Sequence, residues 1–225
     1  MFQVKICGIT TVDDALVAAS AGADAIGLNF YAKSSRRVAT EEAVKISAAL
    51  PAGVAKVGVF VNSPLEEILA IFNQTGIDAI QLHGDESPAL VASLRISLPQ
   101  RTHLLRAFRC GDGSLLPASD YLAACLALGP LPDAVLLDGF SPGEYGGTGQ
   151  TADWKVLRRE RGLLGTLPVV LAGGLTAGNV AQAISAARPD GVDTASGVET
   201  SPGRKDPQLV QQFVSAARAA FAHSD

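Results

Sequence analysis

Val54-Ala55-Lys56-Val57-Gly58-Val59-Phe60-Val61-Asn62-Ser63-Pro64-Leu65-Glu66-Glu67-Ile68-Leu69-Ala70-Ile71-Phe72 holds one whole structural unit of the chain. Ala55 to Phe60 is short, mostly apolar and rich in valine, which reads as a buried strand. Ser63 follows as a helix N-cap, Pro64 fits the first helical position, and Glu66 completes a capping box. Leu65, Ile68, Leu69 and Phe72 then recur on one helical face.

The same unit repeats in both directions. Val4–Cys7 is a strand followed by a helix opening at Thr10 or Thr11, and residues 24–30 are a strand followed by a helix over about 40–50. Ala79–Leu82 leads to a helix from Ser87. Leu104–Phe108 leads, through a longer connection, to a helix near Tyr121. Ala134–Asp138 leads through a glycine-rich loop to a helix from about Ala152, and Val169–Ala172 to a helix marked by Val180, Ala183, Ile184 and Ala187. Gly191–Thr194 is the eighth strand, and Asp206-Pro207 opens the last helix, with Leu209, Val210, Phe213, Val214 and Ala217 on one stripe. Eight units of roughly 28 residues predict an α/β fold, a single-domain (β/α)8 (TIM) barrel spanning 1–225, near the lower size limit of that architecture. A doubly wound open sheet is the rival. It rarely needs eight such regular units, and no G-x-G-x-x-G follows the first strand.

The bulk numbers agree. The 225 residues are 48% hydrophobic, enough for one large core, and the net charge of −4 is spread along the chain. No basic face with stacking aromatics is present, so nucleic acid is not an expected partner. The N-terminus shows no secretory signal pattern. The longest apolar runs are too short to span a bilayer, so no membrane partner is expected either. Cys7, Cys110 and Cys125 are odd in number and unrelated in spacing, which fits neither a disulfide framework nor zinc. A reduced cytoplasm is the natural compartment. Paired metal-ligand spacing is missing, so no metal is expected.

In a (β/α)8 barrel the chemistry sits at the C-terminal ends of the strands. Cys7 ends the first strand beside Gly8. Free cysteine is often just a small buried hydrophobe, but a thiol at this rim can serve as a base if positive charge or a helix N-terminus lowers its pKa. Asp138 ends the sixth strand after four apolar residues. It is either a loop-ordering carboxylate or a general acid whose surroundings keep it protonated. Arg36, in the loop after the second strand, is either solvated or a fork for a carboxylate or phosphate. His83, after the fourth strand, fits loop packing or substrate contact equally. Three glycine-rich stretches, 145–149, 171–175 and 195–199, put small residues and backbone N–H groups near the last strand ends, where barrels often bind phosphate.

Together these stretches resemble the phosphoribosylanthranilate isomerase family of tryptophan biosynthesis. The resemblance rests on Lys5-Ile6-Cys7-Gly8-Ile9-Thr10, Gly27-Leu28-Asn29-Phe30-Tyr31, Lys33-Ser34-Ser35-Arg36, Val57–Val61, Gln81-Leu82-His83-Gly84-Asp85, Leu136-Leu137-Asp138, Gly146-Gly147-Thr148-Gly149, Leu171-Ala172-Gly173-Gly174-Leu175 and 191–199, in order and nearly end to end. It implies a cofactor-free Amadori rearrangement with Cys7 as general base and Asp138 as general acid. It also implies that Arg36 binds the anthranilate carboxylate and that Gly147, Gly173, Gly174, Gly197 and Ser196 present donors to the phosphate. His83 is carried as a substrate-binding candidate, and the expected state is a monomer or homodimer. Two departures stand out: the family often has proline where Ser35 stands, and Gly139 follows the acid. Sister phosphate-binding barrels would show an inner lysine–glutamate pair or a metal-binding histidine–aspartate set. The related isomerase with two carboxylates would not show Cys7. A barrel that only binds its ligand would not need both Cys7 and Asp138.

Overall fold

A computed structural model describes residues 2–110, 113–139 and 154–223. Eight parallel strands close into a barrel: β1 (Val4–Ile6), β2 (Ala25–Asn29), β3 (Ala55–Phe60), β4 (Ala79–Leu82), β5 (His103–Cys110), β6 (Ala134–Gly139), β7 (Val169–Leu171) and β8 (Gly191–Thr194). Each pairs with its sequence neighbours, and β8 pairs with β1, so the sheet has no open edge. Helices α1 (Val12–Ser20), α2 (Thr40–Ala49), α3 (Leu65–Thr75), α4 (Pro88–Ser97), α5 (Leu116–Leu128), α6 (Trp154–Glu160), α7 (Val180–Ala187) and α8 (Pro207–Ala222) follow the strands in turn. No helix among the described residues is long and apolar enough to cross a membrane.

Strand alternation sorts the core into two compartments. Val4, Ile6, Ile26, Leu28, Ile80 and Val192 point outward and pack with the helices in one large cluster. Ala25, Val57, Ala79, Leu105, Leu136 and Val170 point inward and fill the barrel as a separate, smaller cluster. The inward positions nearest the C-terminal ends are where the apolar pattern stops.

At the N-terminal end a device repeats that the sequence reading missed. Asp24, Asp78, Asp133 and Asp190 each stand just before an even-numbered strand. Through one carboxylate oxygen each accepts a backbone N–H from the odd-numbered strand before it: Val4, Lys56, Leu104 and Val169, at 2.7–2.9 Å. Each also meets a cation, namely Arg218, Lys56, Arg95 and Arg161. Four carboxylates thus satisfy N–H groups at the N-terminal end of the barrel that would otherwise lack a partner.

Two local expectations fail. Helix α3 takes Pro64, not Ser63, as its N-cap and has no side-chain cap bond, so the capping box does not form. Extended backbone at the proline starts the helix one residue later. The long connection after the fifth strand is shorter than expected, because β5 continues to Cys110 and α5 begins at Leu116. Where caps do form they match the sequence: Thr11 accepts from Asp14, and Asp206 accepts from Gln208 and Leu209.

Candidate active site

Cys7, Arg36, His83, Asp138, Gly173, Gly174 and Ser196 line one cavity at the C-terminal mouth of the barrel. Gly197 lies one residue further along. Gly147 and its glycine-rich loop fall outside the described residues.

Cys7 follows β1 and shares the inward register of Lys5 on that strand. Its amide donates to the Thr194 carbonyl at 2.8 Å, anchoring the thiol between β1 and β8. Burial pushes the thiol above its ordinary pKa. The positive charges of Lys5 and Lys205 work against this, and Asp193 adds to it. Lys5 is fully buried, with Nζ 3.0 Å from Asp193 Oδ2. Burial alone would strip its charge, but Asp193 and Cys7 more than offset that, and its pKa rises.

Asp138, on β6, is 5% exposed. His83 Nε2 lies 3.1 Å from its Oδ2, and Gln81 Nε2 lies 2.7 Å from His83 Nδ1. With the Gln81 amide donating to Nδ1, the histidine proton sits on Nε2 and is donated to Asp138. Gly173 packs against the end of β6: its φ of +87° suits glycine, and a Cβ there would lie 2.2 Å from the Gly139 nitrogen and 3.0 Å from Asp138 Oδ1. A larger residue after β7 would drive that loop off Asp138.

Arg36 reaches the cavity across Gly8, where an added Cβ would lie 2.6 Å from the arginine Cδ. Its Nε and Nη2 edge is held by Glu199, at 3.0 and 2.8 Å. Glu199 also accepts from Lys205 at 2.6 Å. Burial alone would raise the Glu199 pKa, but hydrogen bonds from Arg36 and the charge of Lys205 bring it below its ordinary value. With serine at position 35, this loop carries hydrogen bonds of its own. The Arg36 amide donates to Ser34 Oγ, Arg37 donates to the Ser34 carbonyl, and Ser34 donates to the Tyr31 carbonyl.

The glycine loops after β7 and β8 are tied together. Thr194 Oγ1 donates to the Leu175 carbonyl at 2.7 Å, and Asn179 Nδ2 donates to the Gly174 carbonyl at 2.9 Å. Ser196 opens a short 3-10 turn, Ser196–Val198. Among the described residues, no three of His, Cys, Asp and Glu come together in a way that could hold a metal ion.

The sequence model of one protein family, N-(5'phosphoribosyl)anthranilate (PRA) isomerase, matches residues 4–216. The chain belongs to this family. The N-(5'-phosphoribosyl)anthranilate isomerase of Rubrobacter xylanophilus is 47% identical over 220 residues, covering 97% of this chain and 100% of that protein. That of Citrifermentans bemidjiense is 43% identical, covering 97% and 98%. The crystal structure of phosphoribosyl anthranilate isomerase from Thermotoga maritima superimposes with a TM-score of 0.84 at 36% identity, covering 97% of this chain and 100% of that one. A family structure solved with reduced 1-(o-carboxyphenylamino)-1-deoxyribulose 5-phosphate gives a TM-score of 0.80 at 35% identity, with the same coverage.

Within this isomerase fold, sequence reasoning named seven residues that line the cavity but left out others that line it, Asn29 and Asp193 among them, and the residues behind them. Lys5, Asp193 and Glu199 all lie in the stretches that carried the resemblance, yet none was assigned a role. Lys5 had a readable signal: it is two residues before Cys7 on a strand, so its charge must point into the barrel. Glu199 and Lys205 had none. They belong to a small hairpin, β9 (Glu199–Ser201) and β10 (Arg204–Lys205), that no pattern in the chain announces.

Proposed function

We propose that this chain converts N-(5-phosphoribosyl)anthranilate to 1-(2-carboxyphenylamino)-1-deoxyribulose 5-phosphate in tryptophan biosynthesis, with Cys7 as general base and Asp138 as general acid. The observation that carries the reading is that one small cavity is lined by a thiol just after β1, a carboxylate on β6, an arginine and the two glycine loops. The carboxylate end of the substrate would meet Arg36, and the phosphate end would meet backbone N–H groups at Gly173, Gly174, Ser196 and Gly197. Gly147 belongs to the same proposed set.

The chemistry is then a sequence of proton transfers. Asp138 delivers its proton to the ring oxygen O4′. The C1′–O4′ bond breaks as the anilino nitrogen lone pair forms C1′=N. Cys7 as thiolate takes the C2′ proton, and the C–H electrons form C1′=C2′ and return a pair to nitrogen. The enolamine ketonises at C2′ by protonation at C1′ and loss of the enol proton. No net oxidation occurs, so the reaction calls on no cofactor. His83 Nε2–H, already donating to Asp138, would stabilise the carboxylate left after proton transfer.

With its Nε–Nη2 edge held by Glu199, Arg36 would offer its Nη1 side to the anthranilate carboxylate. Replacing it with methionine removes a charge-assisted hydrogen bond, whose loss is about 1.5–3 kcal/mol, or on the order of 10–100-fold in affinity. The test is fluorescence-monitored consumption of phosphoribosylanthranilate generated in situ. Wild type should turn over, and Arg36→Met should raise KM by that factor with a smaller fall in kcat. An inactive wild type that still binds the product would favour a binding protein instead. Cytoplasmic location and a monomeric or homodimeric state complete the proposal; the latter is measured by sedimentation.

A further inference from the structure

Among the described residues that face the inside of the barrel most are apolar, and Lys5 with Asp193 forms a charged pair among them. Lys5 on β1 and Asp193 on β8 stand opposite each other in strand register, both point inward, and the lysine is fully buried. Around them are alanine, valine and leucine. A well-packed apolar pair would serve stability as well or better. The pair is also incompletely satisfied: Asp193 Oδ1 is buried and has no hydrogen-bond partner. Cys7 lies two residues beyond Lys5 in the same inward register, with its amide bound to the carbonyl of Thr194 next to Asp193, so the charges of the pair act on the thiol. The seat is tight, since an added Cβ on Gly27 across the strand would lie 2.5 Å from Cys7 Sγ.

We propose that Lys5 is a positioning residue for the base: its ammonium, fixed by Asp193, donates to Cys7 Sγ and supplies the counter-charge against which the thiolate forms. The proposal rests on Cys7 being the base. A thiolate in an apolar barrel needs such a partner, because burial alone favours the neutral thiol. A buried lysine ammonium in the thiol's own inward register meets that need, and as a donor without a lone pair it leaves the C2′ proton to the sulfur. Asp193 keeps the lysine charged while the thiol is neutral, so the cation is present before the proton moves.

The other charged groups around the sulfur come from every neighbouring element. Lys205 on β10 adds a second positive charge but is committed to Glu199 and the Ala195 carbonyl. Arg36 is likewise held by Glu199. His83, just after β4, and Asp138 on β6 pair with each other. Lys5 is therefore the buried cation on the thiol's own strand face, and it is paired with one carboxylate, Asp193.

The test reads the thiol directly. Iodoacetamide alkylation of Cys7 is followed as a function of pH by quantifying the Cys7 peptide by mass spectrometry, in wild type, Lys5→Met and Lys5→Met/Asp193→Asn. The double variant leaves no unpaired buried carboxylate and keeps the test readable if the single variant fails to fold. The alkylation midpoint should move up by about one pH unit or more in the single variant, equivalent to about tenfold less thiolate at neutral pH. It should move in the same direction, by less, in the double. In the isomerase assay kcat should fall by a similar factor, with little change in KM, and recover as pH rises. Alkylation profiles that superimpose on wild type would overturn the proposal. Full activity in Cys7→Ala would overturn the base assignment instead, and the alkylation result would still stand by itself.

Discussion

A methyl group on Gly27 would lie 2.5 Å from Cys7 Sγ and 3.0 Å from Cys7 Cα, so that glycine is the wall against which the thiol is set. Gly27→Ala adds one carbon inside a packed barrel, which costs about 1–3 kcal/mol of stability through overpacking. The more telling effect is on rate. The sulfur must move off its seat, and kcat is expected to fall on the order of tenfold or more, because a misplaced base loses its alignment with the C–H bond. Thermal unfolding and steady-state kinetics on the same preparation separate the two effects. A folded Gly27→Ala enzyme with wild-type kcat would mean that the position of the thiol is not critical. Residues of this kind were half legible in the sequence. Cys7, Asp138 and His83 stand at strand ends and Arg36 in the loop after one, where the fold puts chemistry. Gly27 matters only because of what lies across the strand from it, and pairing register is a tertiary fact.

At the scale of elements, the odd–even clasp at the N-terminal end of the barrel carries a pH signature. Asp24 accepts from the Gln3 and Val4 amides and meets Arg218 of α8, joining the first strand to the last helix. Burial works against its charge, but the Arg218 hydrogen bond and the backbone donors outweigh it and hold its pKa below the ordinary 3.8. A carboxylate whose pKa is depressed on folding contributes stability above its unfolded pKa and loses it as pH falls through the folded value. Asp24→Ala is therefore expected to lower stability by about 2 kcal/mol at neutral pH, the scale of a charged hydrogen bond. That deficit should narrow as the pH drops below 3.8. Denaturant unfolding at neutral and acid pH checks this, and a deficit that stays constant would assign the loss to packing. The elements themselves were largely legible. β4 and β8 have the bounds expected of them, and α8 opens at Asp206-Pro207 as its cap residues require. The capping box at Ser63 was not, because extended backbone at Pro64 moves the start of α3 beyond the serine's reach. The four clasping aspartates were unread because one aspartate before a strand looks like any turn residue until its distant N–H partner is known.

For the whole molecule, the regular alternation of strand and helix was enough to imply a closed barrel, and closure is what places Cys7 and Asp138 on one cavity. They stand at the ends of β1 and β6, which do not pair with each other. What stayed illegible is the charge arrangement behind them: the Lys5–Asp193 pair in the thiol's inward register, and the hairpin that puts Glu199 and Lys205 behind Arg36. Those depend on β8 meeting β1, contacts between the two ends of the chain. The central claim is that this barrel works by one base and one acid facing the same substrate. It is tested most directly by measuring turnover of phosphoribosylanthranilate by wild type, Cys7→Ala and Asp138→Ala, each shown by circular dichroism to be folded. The account predicts active wild type and a loss on the order of 10²-fold or more in kcat for each variant. A folded Cys7→Ala or Asp138→Ala enzyme that turns over within a few-fold of wild type would contradict it.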